Sequence, residues 1–374
     1  MTIVVILPTY NEKANIEKMI PVLEEEVFPK IKNHSMLLLV ADDHSPDGTA
    51  QAVKAFGKKW KNIHLLMGNK EGLGSAYVRA MKYAMEKLSA DAVIEFDSDF
   101  QHDPHDIPRL IEAMDNGADY VIGSRYVKGG KIPKEWGIDR KVQSIFGSIF
   151  ARIVLFTFGI HDMTSGFKLT KTSFLKKVDL DNLYSKNYSY KIQILYEVVK
   201  LGAKVKEVPI IFYERAKGKS KMNTNNIVES FLVVLKIRMH ESRKFIKFLM
   251  VGGTGFMLNF IVYFILGHFT TVNLVVANTI GAELAIFSNF NLNNLWTFND
   301  NTTKTFSSYM SKMLQYFATS NIGIWIFQNG MIQLGSSLYG RKYYLVYFIF
   351  GTALLLVWNF TIYNKIIWKK PRSS

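Results

Sequence analysis

Short apolar runs recur through the first half of the chain, at residues 3–7, 37–40, 63–67, 92–96 and 120–122, and each is followed by a polar turn. Runs of this length, rich in β-branched residues and leucine, read as buried strands. Helical periodicity lies between them, near residues 14–28, 49–59, 74–88 and 106–115. Such alternation predicts an α/β domain with an open, mostly parallel sheet. Ligands of these sheets bind beyond the carboxyl ends of the strands, so the residues to inspect follow Leu7, Val40 and Phe96.

From about Phe245 onward the pattern changes: Phe, Ile, Leu, Val, Tyr and Trp dominate and carboxylates nearly vanish. Residues 248–269, 272–290, 313–334 and 343–363 form apolar stretches, each near the roughly twenty residues needed to cross a hydrocarbon core of about 30 Å. Basic residues cluster before the first stretch (Lys236, Arg238, Arg243, Lys244, Lys247), between the second and third (Lys304, Lys312) and after the last (Lys365, Lys369, Lys370, Arg372), while Arg341 and Lys342 run against the trend. The positive-inside rule then predicts four spans with both termini in the cytoplasm. Residues 142–158 and 227–248 read as interfacial helices that seat the first half on the bilayer. The expected division is an α/β domain at 1–226, an amphipathic linker at 227–247 and an all-α transmembrane domain at 248–374.

Charge narrows the partners only partly. The chain has 46 Lys and Arg against 31 Asp and Glu, a net charge of +15, which suits nucleic acid, an acidic lipid surface or a phosphorylated substrate. No base-stacking or groove-reading motif supports nucleic acid. The absence of cysteine excludes disulfides and thiolate metal sites, so any bound metal is expected to be a hard divalent cation. The opening MTIVVILPTY has no basic region ahead of its apolar run, so no cleavable signal is expected.

The sharpest chemical constellation is DSDFQH, Asp97 to His102, directly after a strand candidate. Two carboxylates one residue apart at a strand end can share Mg²⁺ or Mn²⁺, with Gln101 adding a neutral oxygen, and such a cation neutralises a departing diphosphate. An isolated Asp-x-Asp is more often a solvated loop. Here it stands with PTYNE at Pro8 to Glu12 and ADDHSPDGT at Ala41 to Thr49, each after its own strand candidate. Asp42 and Asp43 equally suit turn formation and helix capping before Thr49.

PTYNE, DDHSPDGT, GLGSAYVRA, DSDFQH, GSRYVKGG, DMTSGF and ERAKGKSK occur in that order between about residues 3 and 222. In this the chain resembles glycosyltransferases of family 2 with the GT-A fold, and among them the polyprenol- and dolichol-phosphate mannose synthases. The resemblance implies transfer of mannose from GDP-mannose to a polyprenyl phosphate at a bilayer, with Mg²⁺ or Mn²⁺ as cofactor. It assigns Pro8, Tyr10 and Glu12 to the ribose and base, Asp43 to a hydrogen bond with the base, and Asp97 and Ser98 to the donor. Asp97, Asp99 and Gln101 would hold the metal. Arg125, Arg140 and Ser144 would clamp the acceptor phosphate, with Asp99, Arg125 and Arg140 closest to the chemistry. Arg215 and Lys221 would close a lid over the donor, and Asp162 would organise the acceptor side.

A phosphate monoester has its second pKa near 6 and is already anionic at neutral pH, so the reaction implied needs no dedicated general base. Two alternatives stay open: a UDP-sugar-dependent glucosyl or N-acetylhexosaminyl transferase, and a lipid-sugar flippase or scaffold without turnover. The apolar half resembles GtrA-like membrane modules, including NFNLNNLWTF at Asn289 to Phe298. Its polar residues Asn259, Glu283, Asn289, Asn321 and Gln328 are expected to glue helices together more than to line a path for lipid.

Overall fold

The computed structural model describes residues 1–214, 224–271, 274–302, 305–340 and 343–369. The chain divides into two compact units, Met1–Met239 and His240–Ser374.

The first unit is built on a seven-stranded sheet. In chain order its elements are β1 (Thr2–Thr9), α1 (Lys13–Pro21), β2 (Ser35–Asp42), α2 (Thr49–Lys59), β3 (Ile63–Met67), α3 (Leu73–Glu86), β4 (Ala92–Glu95), α4 (Ile107–Asp115), β5 (Tyr120–Ser124), α5 (Ile138–Leu155), β6 (Lys168–Lys171), α6 (Thr172–Leu175), α7 (Tyr190–Lys200) and β7 (Val205–Pro209). The strands lie in the order β3-β2-β1-β4-β6-β5-β7. β1 pairs in parallel with β2 on one side and β4 on the other. The chain therefore winds outward in both directions from β1, and the crevice beyond its carboxyl end is where such a sheet holds ligands.

Alternate side chains of the central strands enter different layers. Ile3, Val5 and Leu7 pack under Ile16, Met19 and Ile20, whereas Val4 and Ile6 pack against Tyr77, Ala80 and Met81. A strand buried on both faces reads as a continuous apolar run, which is the pattern of residues 3–7.

Two strands escaped the apolar pattern. β6, with sequence KLTK, is antiparallel to both β4 and β5; it is short, and two of its positions are lysine. Its direction matters for the site, because the segment entering β6 arrives where β4 and β5 end. Glu95 faces Lys168 in the β4–β6 register, so continuing that register sets Gly166 against Asp97.

α5 keeps Ser148, Ala151 and Leu155 buried and turns Ile138, Val142, Ile145, Phe146, Ile149 and Ile153 outward. This is one helical face, apolar and exposed. The helix stops at Leu155, where Phe156 takes a left-handed conformation with φ +57°.

α8 (Thr224–Phe269) contains the point at which the two units divide. Its first turns belong to the first unit, where Val233, Val234 and Ile237 are buried and Val228, Leu232, Leu235 and Met239 exposed. Phe231 stacks edge-on against Phe150 of α5 at 4.8 Å.

The second unit holds the rest of α8 with α9 (Leu274–Leu292), α10 (Phe306–Gly323), α11 (Gly330–Tyr339) and α12 (Tyr344–Ile362). NFNLNNLWTF supplies an aromatic lock: Phe298 lies flat on Trp368 at 4.6 Å, and Trp368 Nε1 donates to Asn294 Oδ1 at 3.0 Å. The Asn289 side chain occupies the space a Cβ on Gly255 would need, and Asn259 does the same over Gly281. These asparagines thus fill a close approach of α8 and α9, as expected of polar packing residues. Among the described residues, one helix, Asn225–Leu266, is long and apolar enough to cross a membrane.

Candidate active site

The two N-terminal loops are stitched together at the carboxyl ends of β1 and β2. Asn11 N donates to Ser45 Oγ, Glu12 N to Thr49 Oγ1 and Lys13 N to Asp47 Oδ2. Asp42 and Asp43 have separate duties. Asp42 accepts from Thr9 Oγ1 and from both the amide and hydroxyl of Ser45, so it makes the turn. Asp43 is turned the other way and pairs with Arg79 of α3 at 2.5 Å. Burial raises the Asp43 pKa, and the hydrogen bond and charge of Arg79 oppose the shift without cancelling it. Tyr10 receives Lys70 Nζ 3.5 Å above its ring. Pro8 and Glu12 flank it at the end of β1 and the start of α1, where Asn15 Nδ2 donates to Glu12 Oε2.

β4 ends at Glu95, and the acidic turn follows. Phe100 adopts φ +60°, a left-handed conformation that folds the segment back so that Gln101 N reaches Asp99 Oδ1 at 3.1 Å. Ser98 and Asp99 are buried within this turn. Asp97 is held from behind: Tyr77 Oη donates to its Oδ1 at 2.9 Å. Burial, with the charges of Asp97 and Glu95 adding, keeps the Tyr77 pKa well above its ordinary value, so it stays a donor. The other oxygen, Oδ2, lies 3.2 Å from the point a Gly166 Cβ would take, with His102 Nε2 3.4 Å from the same point. Glycine at 166 leaves room for these tips to converge.

A cavity of about 410 Å³ opens here, lined by Asp97, Gln101, His102, Arg125, Arg140, Ser144 and Lys191 at its polar end. Phe150, Ile192, Ile227, Phe231 and Val234 give it an apolar wall, beside further polar residues that include Asp139, Gln143, Thr164, Glu214 and Ser230. Five residues expected from the sequence therefore share one chamber: Asp97, Gln101, Arg125, Arg140 and Ser144. Pro8, Tyr10, Glu12 and Asp43 belong to the adjoining pair of loops. Arg215 and Lys221, and the lid they were expected to form, lie outside the described residues.

Arg125 is less free than a phosphate clamp suggests. Its Nε and Nη2 donate to the two oxygens of Asp162 at 2.8 and 2.7 Å, and Nη2 also reaches Thr164 Oγ1. Both partners are buried. Burial alone would raise the Asp162 carboxyl, but the charge and hydrogen bonds of Arg125 outweigh it and the net shift is downward. Asp162 is in turn fixed by Glu207, whose carboxylate accepts from the His161 and Asp162 amides. Asp162 thus pairs with the Arg125 guanidinium as a carboxylate. Arg140 stacks over Trp136 at 4.1 Å, and Ser144 Oγ hydrogen-bonds Tyr126 Oη at 2.6 Å. His102 is held neutral, its pKa pulled by burial to about 3.

Sequence reasoning missed Tyr77, Arg79, His102 and Lys191. Tyr77 and Arg79 stand in GLGSAYVRA, and an amphipathic helix shows its buried face without showing which polar atom that face aims at a carboxylate. Were Asp97, Asp99 and Gln101 the donors, all would present oxygen and leave most of a six-coordinate shell for phosphate and water, which fits Mg²⁺ or Mn²⁺. Tyr77 holds one Asp97 oxygen, and Asp97 and Gln101 both line the cavity, in keeping with that fit.

The sequence matches the model of glycosyl transferase family 2 over residues 4–179 and that of the GtrA/DPMS transmembrane domain over residues 247–368. A dolichol-phosphate mannosyltransferase of Pyrococcus furiosus is 32% identical over 383 residues, covering 98% of this chain and 99% of its own length. The chain belongs to glycosyltransferase family 2. An undecaprenyl-phosphate mannosyltransferase of Micrococcus luteus is 35% identical, covering 63% of this chain and 93% of that protein. Among solved structures, a mannosyltransferase from Pyrobaculum calidifontis in complex with GDP-Man and Mn²⁺ aligns over 99% of this chain and 88% of its own, at 14% identity and a TM-score of 0.40. This family 2 enzyme is a membrane protein with a GT-A catalytic domain.

Proposed function

We propose that the enzyme transfers mannose from GDP-mannose to the phosphate of a polyprenyl lipid, using Mg²⁺ or Mn²⁺, at the cytoplasmic face of a membrane it crosses four times. One observation carries the reading: Asp97 and Gln101 of the acidic turn share one cavity with Arg125 and Arg140, and Phe150, Ile192, Ile227, Phe231 and Val234 give that cavity an apolar wall. A nucleotide sugar alone would not need that apolar wall, whereas a lipid phosphate requires both kinds of surface. The names of the relatives, mannosyltransferases of dolichol and undecaprenyl phosphate, favour the same sugar and acceptor. The exposed apolar faces of α5 and of the first turns of α8 suit residence among lipid head groups.

Asp97, Asp99 and Gln101 would hold the cation, which supplies charge neutralisation to the leaving diphosphate. Asp43 and Arg79 offer an acceptor and a donor to the base, and Tyr10 offers a flat surface. Arg140, Ser144 and Arg125 orient the acceptor phosphate. That anion attacks the anomeric carbon from the side opposite the diphosphate, so configuration inverts in one displacement. No side chain needs to accept a proton, in keeping with a His102 whose burial disfavours the protonated imidazole and an Asp162 engaged by Arg125. Positioning and preorganised charge account for the acceleration.

Purified protein in detergent, given GDP-mannose or UDP-glucose with a polyprenyl phosphate and Mn²⁺, should move mannose into the lipid phase. Label entering only from UDP-glucose would replace the donor, and label from neither would overturn the reading.

Tyr77→Phe tests the back of the metal site. Loss of one hydrogen bond to a ligating carboxylate should raise the half-saturating Mn²⁺ concentration at least about tenfold, with the rate largely recovered at saturating metal. An unchanged metal titration would remove Tyr77 from the site.

A further inference from the structure

Lys191, on the first turn of α7, is 5% exposed, yet its side chain lines the active-site cavity. Its Nζ lies 2.7 Å from the point a Gly166 Cβ would occupy, next to Asp97 Oδ2 and His102 Nε2. Among the described residues the ammonium has no carboxylate at ion-pair distance; its neighbours are the rings of Tyr77 at 6.0 Å and Tyr188 at 5.8 Å. A cation buried without a counter-ion is costly, and a ligand anion removes that cost.

We infer that Lys191 is a binding residue for the acceptor phosphate, completing the charge that the arginines leave short. This rests on the proposed transfer to a lipid phosphate. A phosphate monoester carries a charge of about −1.5 to −2 near neutral pH. Arg125 contributes little net charge against it, because Asp162 already neutralises it. Asp97 and Asp99 would be matched by the divalent cation that serves the donor, buried Glu95 is opposed first by Lys168 and only then by Lys191, and Asp139 and Glu214 are exposed and solvated. Arg140 supplies one positive charge, and Lys191 supplies the second. Position agrees with charge. Lys191 Nζ lies beside Asp97 of the acidic turn, and Ile192, Ile227 and Phe231 line the same cavity, so a chain lying along those side chains would bring its phosphate to the ammonium. A cation there without its anion would oppose positive charge developing at the anomeric carbon, so the ammonium must face the phosphate and not the sugar ring.

The test is binding of geranyl phosphate to the full chain in detergent, without donor, by calorimetry, with inorganic phosphate as competitor and GDP with Mn²⁺ as a separate titration. Lys191→Gln should weaken geranyl phosphate about tenfold, the loss of one charge-assisted hydrogen bond, and raise its KM with little change in that for GDP-mannose. Lys191→Arg should restore most of the affinity. Weak competition by inorganic phosphate is expected, because the apolar wall contributes to the lipid. Equal competition by the free ion would overturn the placement at the end of a lipid chain. Geranyl phosphate binding to Lys191→Gln as tightly as to wild type, or a loss confined to GDP, overturns the inference alone. If both ligands weaken in Lys191→Gln, recovery of geranyl phosphate in Lys191→Arg supports it and absence of recovery overturns it. A wild-type protein that does not bind geranyl phosphate overturns the proposed acceptor as well.

Discussion

Replacing Asp99 by Ala should lower sugar transfer roughly a thousandfold or more, the rate equivalent of about 4 kcal/mol expected when a catalytic cation is lost. The protein should still sediment with membranes, because the apolar half is untouched. Asp99 also accepts the Gln101 amide within a turn whose Phe100 is left-handed, so alanine removes a metal ligand and a turn contact together. Asp99→Asn separates them: the amide oxygen keeps the Gln101 contact but carries no charge. If the metal role dominates, the two variants fall alike and both lose the response to added Mn²⁺. An Asn variant near wild-type activity would reduce Asp99 to a turn former. Divalent-dependent transfer surviving in both would exclude the proposed cation site.

The parts of this site that the sequence exposes are those carried by local pattern. Residues 3–7 and 37–40 are apolar throughout and 63–67 are apolar but for His64; such short runs form strands, and the polar turns after them therefore lie on one edge of the sheet. Asp97, Arg125 and Arg140 sit in recognisable motifs, and they do converge on one cavity. What stayed hidden depends on pairings distant in sequence. β6 is four residues long with two lysines, and Lys168 is fully buried there, its ammonium donating to the Lys191 carbonyl and its pKa drawn by burial to about 8. No hydropathy pattern announces a buried lysine. Because β6 runs antiparallel, it carries Asp162, Thr164 and Gly166 to the carboxyl edge of β4 and β5, and only the strand direction reveals that Asp162 faces Arg125. Lys191 belongs to no motif, and its position follows from how α7 packs behind that edge.

The second large effect is expected at Asp162, and it is one of stability as well as rate. Asp162→Ala leaves the Arg125 guanidinium buried without its counter-charge, a situation that typically costs about 3–5 kcal/mol and lowers Tm on the order of 10 °C for a domain of this size. Acid unfolding should change too. The folded-state pKa of Asp162 is depressed, so its contribution is present above the unfolded-state value of about 3.9 and is lost as pH falls through the folded value; the alanine variant should show a shallower loss of stability at the acid end. Arg125→Met alone exposes the opposite defect, an unpaired buried carboxylate. The double variant, Asp162→Ala with Arg125→Met, removes both charges, and its Tm should recover above either single variant because neither is left uncompensated. Activity should not recover, since the donor to the acceptor phosphate is gone. A double variant no more stable than the singles would mean that Glu207, Thr164 and the surrounding loop, and not the ion pair, hold this wall of the cavity.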